Sequence, residues 1–150
     1  MVFRKATEED ILILTEISKN AFDTDIFVGG TEKGGPPEYD SPEWHRKMMW
    51  ENHLFTYSDD NEIVGGAVLF RNGTKLFVGR IFISPKFLGK GFGKLLMQEI
   101  EDYFSDVDKF VLDSPIWNVR TNRFYPKCGY METGRDEESV FYEKINGKKA

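Results

Sequence analysis

The chain has 150 residues and a mass of 17.4 kDa, with 40% apolar and 15% aromatic residues, enough for the core of one ordinary domain; this excludes a disordered or disulfide-stapled chain. Twenty-five acidic against 20 basic side chains leave a net charge of −5, which argues against a broad nucleic-acid surface and favours cationic partners. Cys128 is the only cysteine and no apolar run approaches the roughly 18 residues of a membrane span, so the expected setting is reducing, cytoplasmic and away from the membrane.

Val2 to Lys5 reads as a short first strand. Thr7 with Asp10 three residues on is an N-cap signal, and Ile11, Leu14, Ile17, Ser18, Ala21 and Phe22 recur at helical spacing, which predicts a helix laid on a sheet. Residues 23 to 40 lose that period. Gly29, Gly30, Gly34, Gly35, Pro36 and Pro37 interrupt it, and Asp23, Asp25, Glu32, Glu38 and Asp40 outweigh Lys33, so a long, acidic, mobile loop is expected, either facing substrate or merely connecting. Ser41-Pro42-Glu43 restarts a helix by N-cap and N1 proline. It carries Trp44, His45, Met48, Met49 and Trp50, of which Trp44, Met48 and Met49 form a cluster for the core or for the wall of an acceptor pocket. His45 and His53 have no ligand-spaced partners, so they read as surface or packing residues and no metal is expected.

From His53 the pattern is β: Leu54 to Ser58, a polar turn Asp59-Asp60-Asn61, Ile63 to Phe70, Asn72-Gly73, then Leu76 to Ile83. Two hairpins result, with Asn72-Gly73 expected as a type I′ turn because both central residues of that turn need positive φ. Beyond Ile83, Phe92, Leu96, Met97, Ile100, Tyr103 and Phe104 line one face of a helix, with Lys94, Gln98, Glu99, Glu101 and Asp102 on the other. Phe110 to Leu112 is a short buried strand that can lie parallel to the one before the helix, with Asp113 at its C-terminal end. Asn118 to Lys127 makes another helix ending at Gly129. Tyr130 to Thr133 and Val140 to Lys144 form a closing hairpin, and residues 146–150 are expected as a frayed tail.

The stretch Ile81 to Lys94 organises the rest. A β-branched and aromatic run breaks at Pro85, and Gly89, Gly91 and Gly93 lead into the apolar helix. A loop so free of side chains lets backbone N–H groups converge on an anion, helped by the positive end of the helix dipole, as a pyrophosphate requires. It is not a Walker A loop, because no Ser or Thr follows a lysine at the required spacing. It is not the dinucleotide fingerprint either, because Lys94 stands where the third glycine belongs.

Three places together resemble the GNAT family of N-acetyltransferases, over Phe3 to about Lys144. Ile83-x-Pro85 with Leu88-Gly89-Lys90-Gly91-Phe92-Gly93 is similar to the family's acetyl-CoA motif Q/R-x-x-G-x-G/A. Asn118-x-x-Thr121-x-x-Phe124-Tyr125-Pro126-Lys127-Cys128-Gly129-Tyr130 is similar to N-x-x-A-x-x-F-Y-x-x-x-G-F. Arg4-Lys5-Ala6-Thr7-x-x-Asp10 adds a weaker match at the start. Leu88 replaces the usual Gln or Arg and Thr121 the usual Ala; Lys86, Lys90 and Lys94 keep cations near a cradle that works mainly through its backbone.

The resemblance implies an α+β sandwich: one domain over 1–150, with a mixed sheet of six to seven strands, about four helices, and fourth and fifth strands parallel and splayed around acetyl-CoA. It implies acetyl transfer to a primary amine by direct attack. Backbone groups of Ile81, Phe82 and Ile83 would hold the pantetheine arm, Leu88, Gly89, Lys90, Gly91, Phe92, Gly93 and Lys94 the pyrophosphate, and Asn118 and Phe124 would complete the cofactor side. Tyr125 matches the general acid that protonates the departing thiolate, and Asp113 is the leading candidate for the base, ahead of Glu38, Glu43 and His45. The expected acceptor is a small-molecule or peptide amine, cationic by the charge of residues 23–40, bound by a monomer or homodimer. The alternative from another class is a non-catalytic acetyl-CoA sensor; a nucleotide-binding module is a third reading.

Overall fold

In the computed structural model, which describes residues 1–147, seven strands form one sheet in the order β1-β2-β3-β4-β5-β7-β6. They are β1 (Val2–Lys5), β2 (Leu54–Asp59), β3 (Glu62–Asn72), β4 (Lys75–Ile83), β5 (Lys109–Pro115), β6 (Met131–Arg135) and β7 (Ser139–Ile145). All neighbours are antiparallel except β4 and β5, which run parallel. Four α-helices flank the sheet: α1 (Ile11–Asp23), α2 (Pro42–Trp50), α3 (Phe92–Tyr103) and α4 (Val119–Lys127). This is the expected mixed α+β sandwich.

Two cores lie on opposite faces of the sheet. Leu96, Met97 and Ile100 of α3 and Tyr125 of α4 pack with Leu76, Val78, Phe110, Leu112 and Tyr142 on one side. Ile11, Leu14 and Ile17 of α1 and Met48 of α2 pack with Leu54, Val68 and Phe82 on the other. Burying side chains of this size stabilises by roughly 1.5–3 kcal/mol each. Trp44 and Met49 are partly buried against the second core, so the α2 cluster is packing first. His45 is fully buried there as well.

The start of α1 is fixed by its sequence signal. Asp10 accepts from the Thr7 backbone N–H at 2.7 Å and from Arg4 Nη1 at 2.8 Å, so the helix entry is tied to β1. The Ser41 hydroxyl caps α2 by accepting from the Trp44 N–H at 3.1 Å, as its Ser-Pro-Glu start requires.

The structure departs from expectation at four places. The β3–β4 turn has positive φ at Gly73 only, so Gly73-Thr74 are its central pair in the manner of a II′ turn; the I′ signature, positive φ at both central residues, falls at Asp60-Asn61 between β2 and β3. Glu101, assigned by periodicity to the solvent face of α3, is buried because Lys144 donates to it at 2.9 Å. Asn146 is no free tail, since its side chain donates to the carbonyls of Ser105 and Val107 at 3.0 and 2.7 Å; residues 148–150 of the expected tail lie outside the described residues.

Residues 23–40 are held down rather than loose. α1 runs on to Asp23, a 3-10 turn covers Thr24–Phe27, the Tyr39 hydroxyl donates to Asp23 at 2.8 Å and Ser18 donates to the Tyr39 carbonyl at 2.8 Å. Asp23 and Tyr39, near the two ends of the segment, supply these anchors together with Ser18 of α1.

Candidate active site

The site begins where the sheet opens. β4 and β5 pair only through Lys75, Leu76 and Phe77 against Lys109, Phe110 and Val111, and then part. A bulge on β4 accompanies the parting. Val68 faces Arg80 and Leu69 faces Val78, which leaves Gly79 unmatched. An extra residue increases local twist and reverses the facing of the strand beyond it, so Val78 lies in the α3 core, Phe82 in the α1 core, and Ile81 and Ile83 turn back toward α3. The Ser84 N–H donates to the Val64 carbonyl at 2.8 Å. By strand alternation the backbone groups of Phe82 then face β3, and those of Ile81 and Ile83 face the gap.

The glycine stretch closes the end of that gap. A 3-10 turn over Pro85–Phe87 and an extended Leu88 lead to Gly89 and Gly91, whose φ values of +78° and +82° call for glycine. A Cβ at either would meet nothing within 4 Å, so both face open space. The first helical bond of α3 is Leu95 N–H to the Gly91 carbonyl at 3.2 Å, so the amides of Gly91, Phe92, Gly93 and Lys94 lack helical acceptors at the positive end of the helix. Lys86 is drawn to Glu62 at 3.0 Å, and both Lys86 and Lys90 lie over the Phe87 ring. Leu88 is 42% exposed, and the cradle is a backbone feature that its side chain does not build.

On the other side of the gap stands α4. Asn118 is buried at its N-cap, its Oδ1 accepting from the Thr121 N–H at 3.0 Å and its Nδ2 donating to Asp25 Oδ1 at 3.2 Å. The Thr121 hydroxyl, where the family pattern has Ala, is taken up by Ser114 at 2.6 Å. Phe124 lies against Gly93, joining α4 to the cradle helix. Tyr125 packs its ring between Tyr130 and Tyr142, with centroids 6.0 and 5.8 Å away. Among the described residues its hydroxyl has no hydrogen-bond partner. Burial, then Cys128, Asp113 and Asp25, push the phenol well above its ordinary range, so it stays a proton donor.

Asp113 lies within β5 on the face opposite Leu112 and Ser114, with its carboxyl raised by partial burial and by Asp136. It acts on Tyr125 through space. Asp25 comes to the same place from 93 residues away in sequence, where nothing in the spacing points to Asn118. Two cavities, of about 300 and 450 Å³, lie off the gap, one between α4 and the β6–β7 hairpin and one between α1 and Phe87; strand geometry defines the site instead. Among the described residues no three His, Cys, Asp or Glu side chains gather as for a metal, and no helix is long and apolar enough to cross a membrane.

The parallel, parting β4–β5 pair within a mixed seven-stranded sheet is the fold the resemblance implies. Residues 20–130 match the family model described as the acetyltransferase (GNAT) family. The chain belongs to that family and is a GNAT-type N-acetyltransferase. No curated protein matches it significantly by sequence. In fold it is similar to the PaiA N-acetyltransferase of Thermoplasma acidophilum in complex with coenzyme A, at 19% identity and a TM-score of 0.83 over 96% of this chain and 98% of that one. It is similar to the ribosomal-protein-S18-alanine N-acetyltransferase of Escherichia coli, at 13% identity and a TM-score of 0.75 over 96% and 92%. It also resembles the spermidine N-acetyltransferase of Vibrio cholerae in complex with CoA and spermine, at 18% identity and a TM-score of 0.74 over 98% and 96%.

Proposed function

We propose that this protein transfers the acetyl group of acetyl-CoA to a primary amine of a small molecule or peptide, with Tyr125 as general acid. The observation that carries this is the gap itself. Strand alternation turns the backbone of Ile81 and Ile83 into it, the free amides at the start of α3 lie at its end, and Tyr125 on α4, whose hydroxyl has no partner among the described residues, supports the acid role. A pantetheine arm fits such a gap as an added strand, and a pyrophosphate fits the cradle. The residues present suit coenzyme A, with Asn118 at the N-cap of α4 and Phe124 against Gly93 as the further candidates for its contacts.

The chemistry needs a held donor, a neutral amine, and a proton for the leaving sulfur. A backbone N–H of Ile81 or Ile83 polarises the thioester carbonyl, and Tyr125 donates its proton to the thiolate as the C–S bond breaks. For the acceptor, the acidic segment 23–40 supports a cationic amine by charge. Both a polyamine and an alanine of a ribosomal protein appear in the names of proteins with similar folds.

The test is acetyl-CoA titration followed by CoA release measured against a panel of polyamines, aminoglycosides, lysine peptides, N-terminal peptides and neutral or anionic amines. Turnover with cationic members is expected. Binding of acetyl-CoA with a raised melting temperature and no turnover would make the chain a sensor, and stabilisation by ATP instead of CoA would remove the coenzyme reading.

A further inference from the structure

The segment from Thr24 to Gly30 leaves α1 and crosses to the turn between β5 and α4, where its contacts fix it. Arg120 Nη1 donates to Thr24 Oγ1 at 3.0 Å, Asn118 Nδ2 to Asp25 Oδ1 at 3.2 Å, and the Val119 N–H to the Val28 carbonyl at 3.0 Å. At Gly29 φ is +120°, and an added Cβ would fall on the Trp117 carbonyl, so this approach admits only glycine. The strap is seated, and it delivers one carboxylate to the first turn of the helix that carries Tyr125.

That carboxylate is constrained and available. The Asp25 carbonyl accepts from Val28 and Gly30 N–H groups at 3.1 and 2.9 Å, which fixes its backbone. The side chain is half-buried, and among the described residues no Lys, Arg or His comes within 4 Å of it as an ion pair. Arg120 acts on it through space, but the Arg120 guanidinium is directed at Thr24. With Asn118 as its one side-chain donor, Asp25 keeps lone pairs for another. Asn118 caps the helix that carries Tyr125 seven residues on, and the Asp25 charge acts on the Tyr125 phenol through space. Asp113, by contrast, is exposed on β5 and faces Asp136.

We propose that Asp25 is the acceptor-side catalytic carboxylate: it receives the ammonium of the incoming amine and takes a proton from it beside Tyr125. The proposal rests on the acetyltransferase reading above and names the base for it. The step balances. One proton passes from R–NH3⁺ to the Asp25 carboxylate and on to solvent. The neutral nitrogen then forms the C–N bond as the C–S bond breaks, and Tyr125 protonates the sulfur. The second proton, released by the nitrogen, restores the phenol. The products are the N-acetyl amine and the CoA thiol.

The test is Asp25→Asn, whose amide oxygen still accepts from Asn118, so that strap and cap stay in place while the charge and the proton acceptor go. Steady-state rates with the best amine of the panel are measured from about pH 5.5 to 9, alongside acetyl-CoA titration. The expected result is a drop in kcat/KM for the amine of roughly 100-fold near pH 7 that narrows toward pH 9, where more of the amine is already neutral, with an unchanged acetyl-CoA Kd. The other groups that act on or feel Asp25 through space are Arg120 and Tyr125 of α4, and the Tyr125 phenol, pushed up by burial, stays neutral across this range. Asp25→Glu, which moves the carboxylate but keeps it, should lose less, with a deficit that does not narrow as the pH rises; it decides the matter if Asp25→Asn does not fold.

A rate within about threefold of wild type in Asp25→Asn, or a deficit that stays constant across the pH range, would overturn the proposal. So would the same narrowing deficit in Asp113→Asn and not in Asp25→Asn, which assigns the proton to Asp113. A wild-type protein that acetylates no amine removes the underlying reading as well. Wild-type turnover with an indifferent Asp25→Asn removes this proposal alone.

Discussion

The Phe124 ring of α4 lies against Gly93 of α3, where an added Cβ would sit 3.2 Å from two of its carbons. The two glycines at the start of α3 therefore do different work. Gly91 holds φ at +82° with open space around it, whereas Gly93 has ordinary helical backbone and a close neighbour. Gly91→Ala should lose about 1–2 kcal/mol from left-handed strain and weaken acetyl-CoA binding. Gly93→Ala should change stability less, because helix propensity worth up to about 1 kcal/mol offsets the displaced ring. Urea unfolding and acetyl-CoA titration of both variants check the order; greater loss in Gly93→Ala would reverse this account.

Tyr125→Phe removes a hydroxyl that has no partner among the described residues and leaves the ring packed between Tyr130 and Tyr142. Deleting such a group costs no hydrogen bond, so the melting temperature should hold or rise slightly. With the general acid gone, kcat should fall by roughly 100-fold, with acetyl-CoA affinity unchanged. Pre-steady-state rates separate chemistry from product release, and an unaffected chemical step would remove Tyr125 from the mechanism.

These two predictions draw on residues that the sequence made visible, and the reason is local chemistry. Gly89 and Gly91 announce themselves because only glycine tolerates that backbone, and Asn118 because a cap must precede its helix. The strands and helices were legible from period and turn residues for the same reason. The Gly79 bulge was not, since one glycine in a β pattern does not say where register breaks. Glu101 was misplaced because helical period cannot see the Lys144 that draws it inward. Asp25 read as one charge among five, since its meaning depends on Asn118 at a separation that only the folded sheet closes.

His45 should make stability depend on pH near neutrality. It is fully buried, its Nδ1 donates to the Ser41 carbonyl at 2.7 Å, and its buried Nε2 has no partner among the described residues. Burial lowers its pKa below the ordinary 6.5, with nearby Arg80 adding to that and the Ser41 bond opposing it. The unfolded chain then binds the proton more readily than the folded one. Stability is therefore held above pH 6.5 and lost as the pH falls from there toward the lower folded value. Urea midpoints at about pH 7.5 and 5 should differ in wild type, and less in His45→Asn, whose amide can replace the Nδ1–H donor. An identical slope in the variant would place the effect elsewhere.

Arg4 and Asp10 set the acid limit of the fold. Asp10 is 6% exposed, and Arg4 grips it through two nitrogens at 2.8 and 3.2 Å while the Thr7 N–H donates at 2.7 Å. Burial alone would raise its pKa, but the Arg4 and Thr7 bonds outweigh it and hold the carboxyl below the ordinary 3.8. A depressed carboxyl contributes stability above 3.8 that is lost as the pH falls through the folded value, so the loss belongs to strongly acid solution. Arg4 is 43% exposed, and solvent screens its side of the pair. Arg4→Gln should therefore cost about 1–2 kcal/mol at neutral pH, less than a fully buried pair would, by leaving Asp10 buried with fewer donors. The same variant should lose less of its stability between about pH 5 and 2 than wild type, because its Asp10 is no longer held ionised so far down. Denaturant titrations across that range decide it, and parallel acid curves for the two proteins would show that the Arg4–Asp10 grip contributes nothing to acid stability.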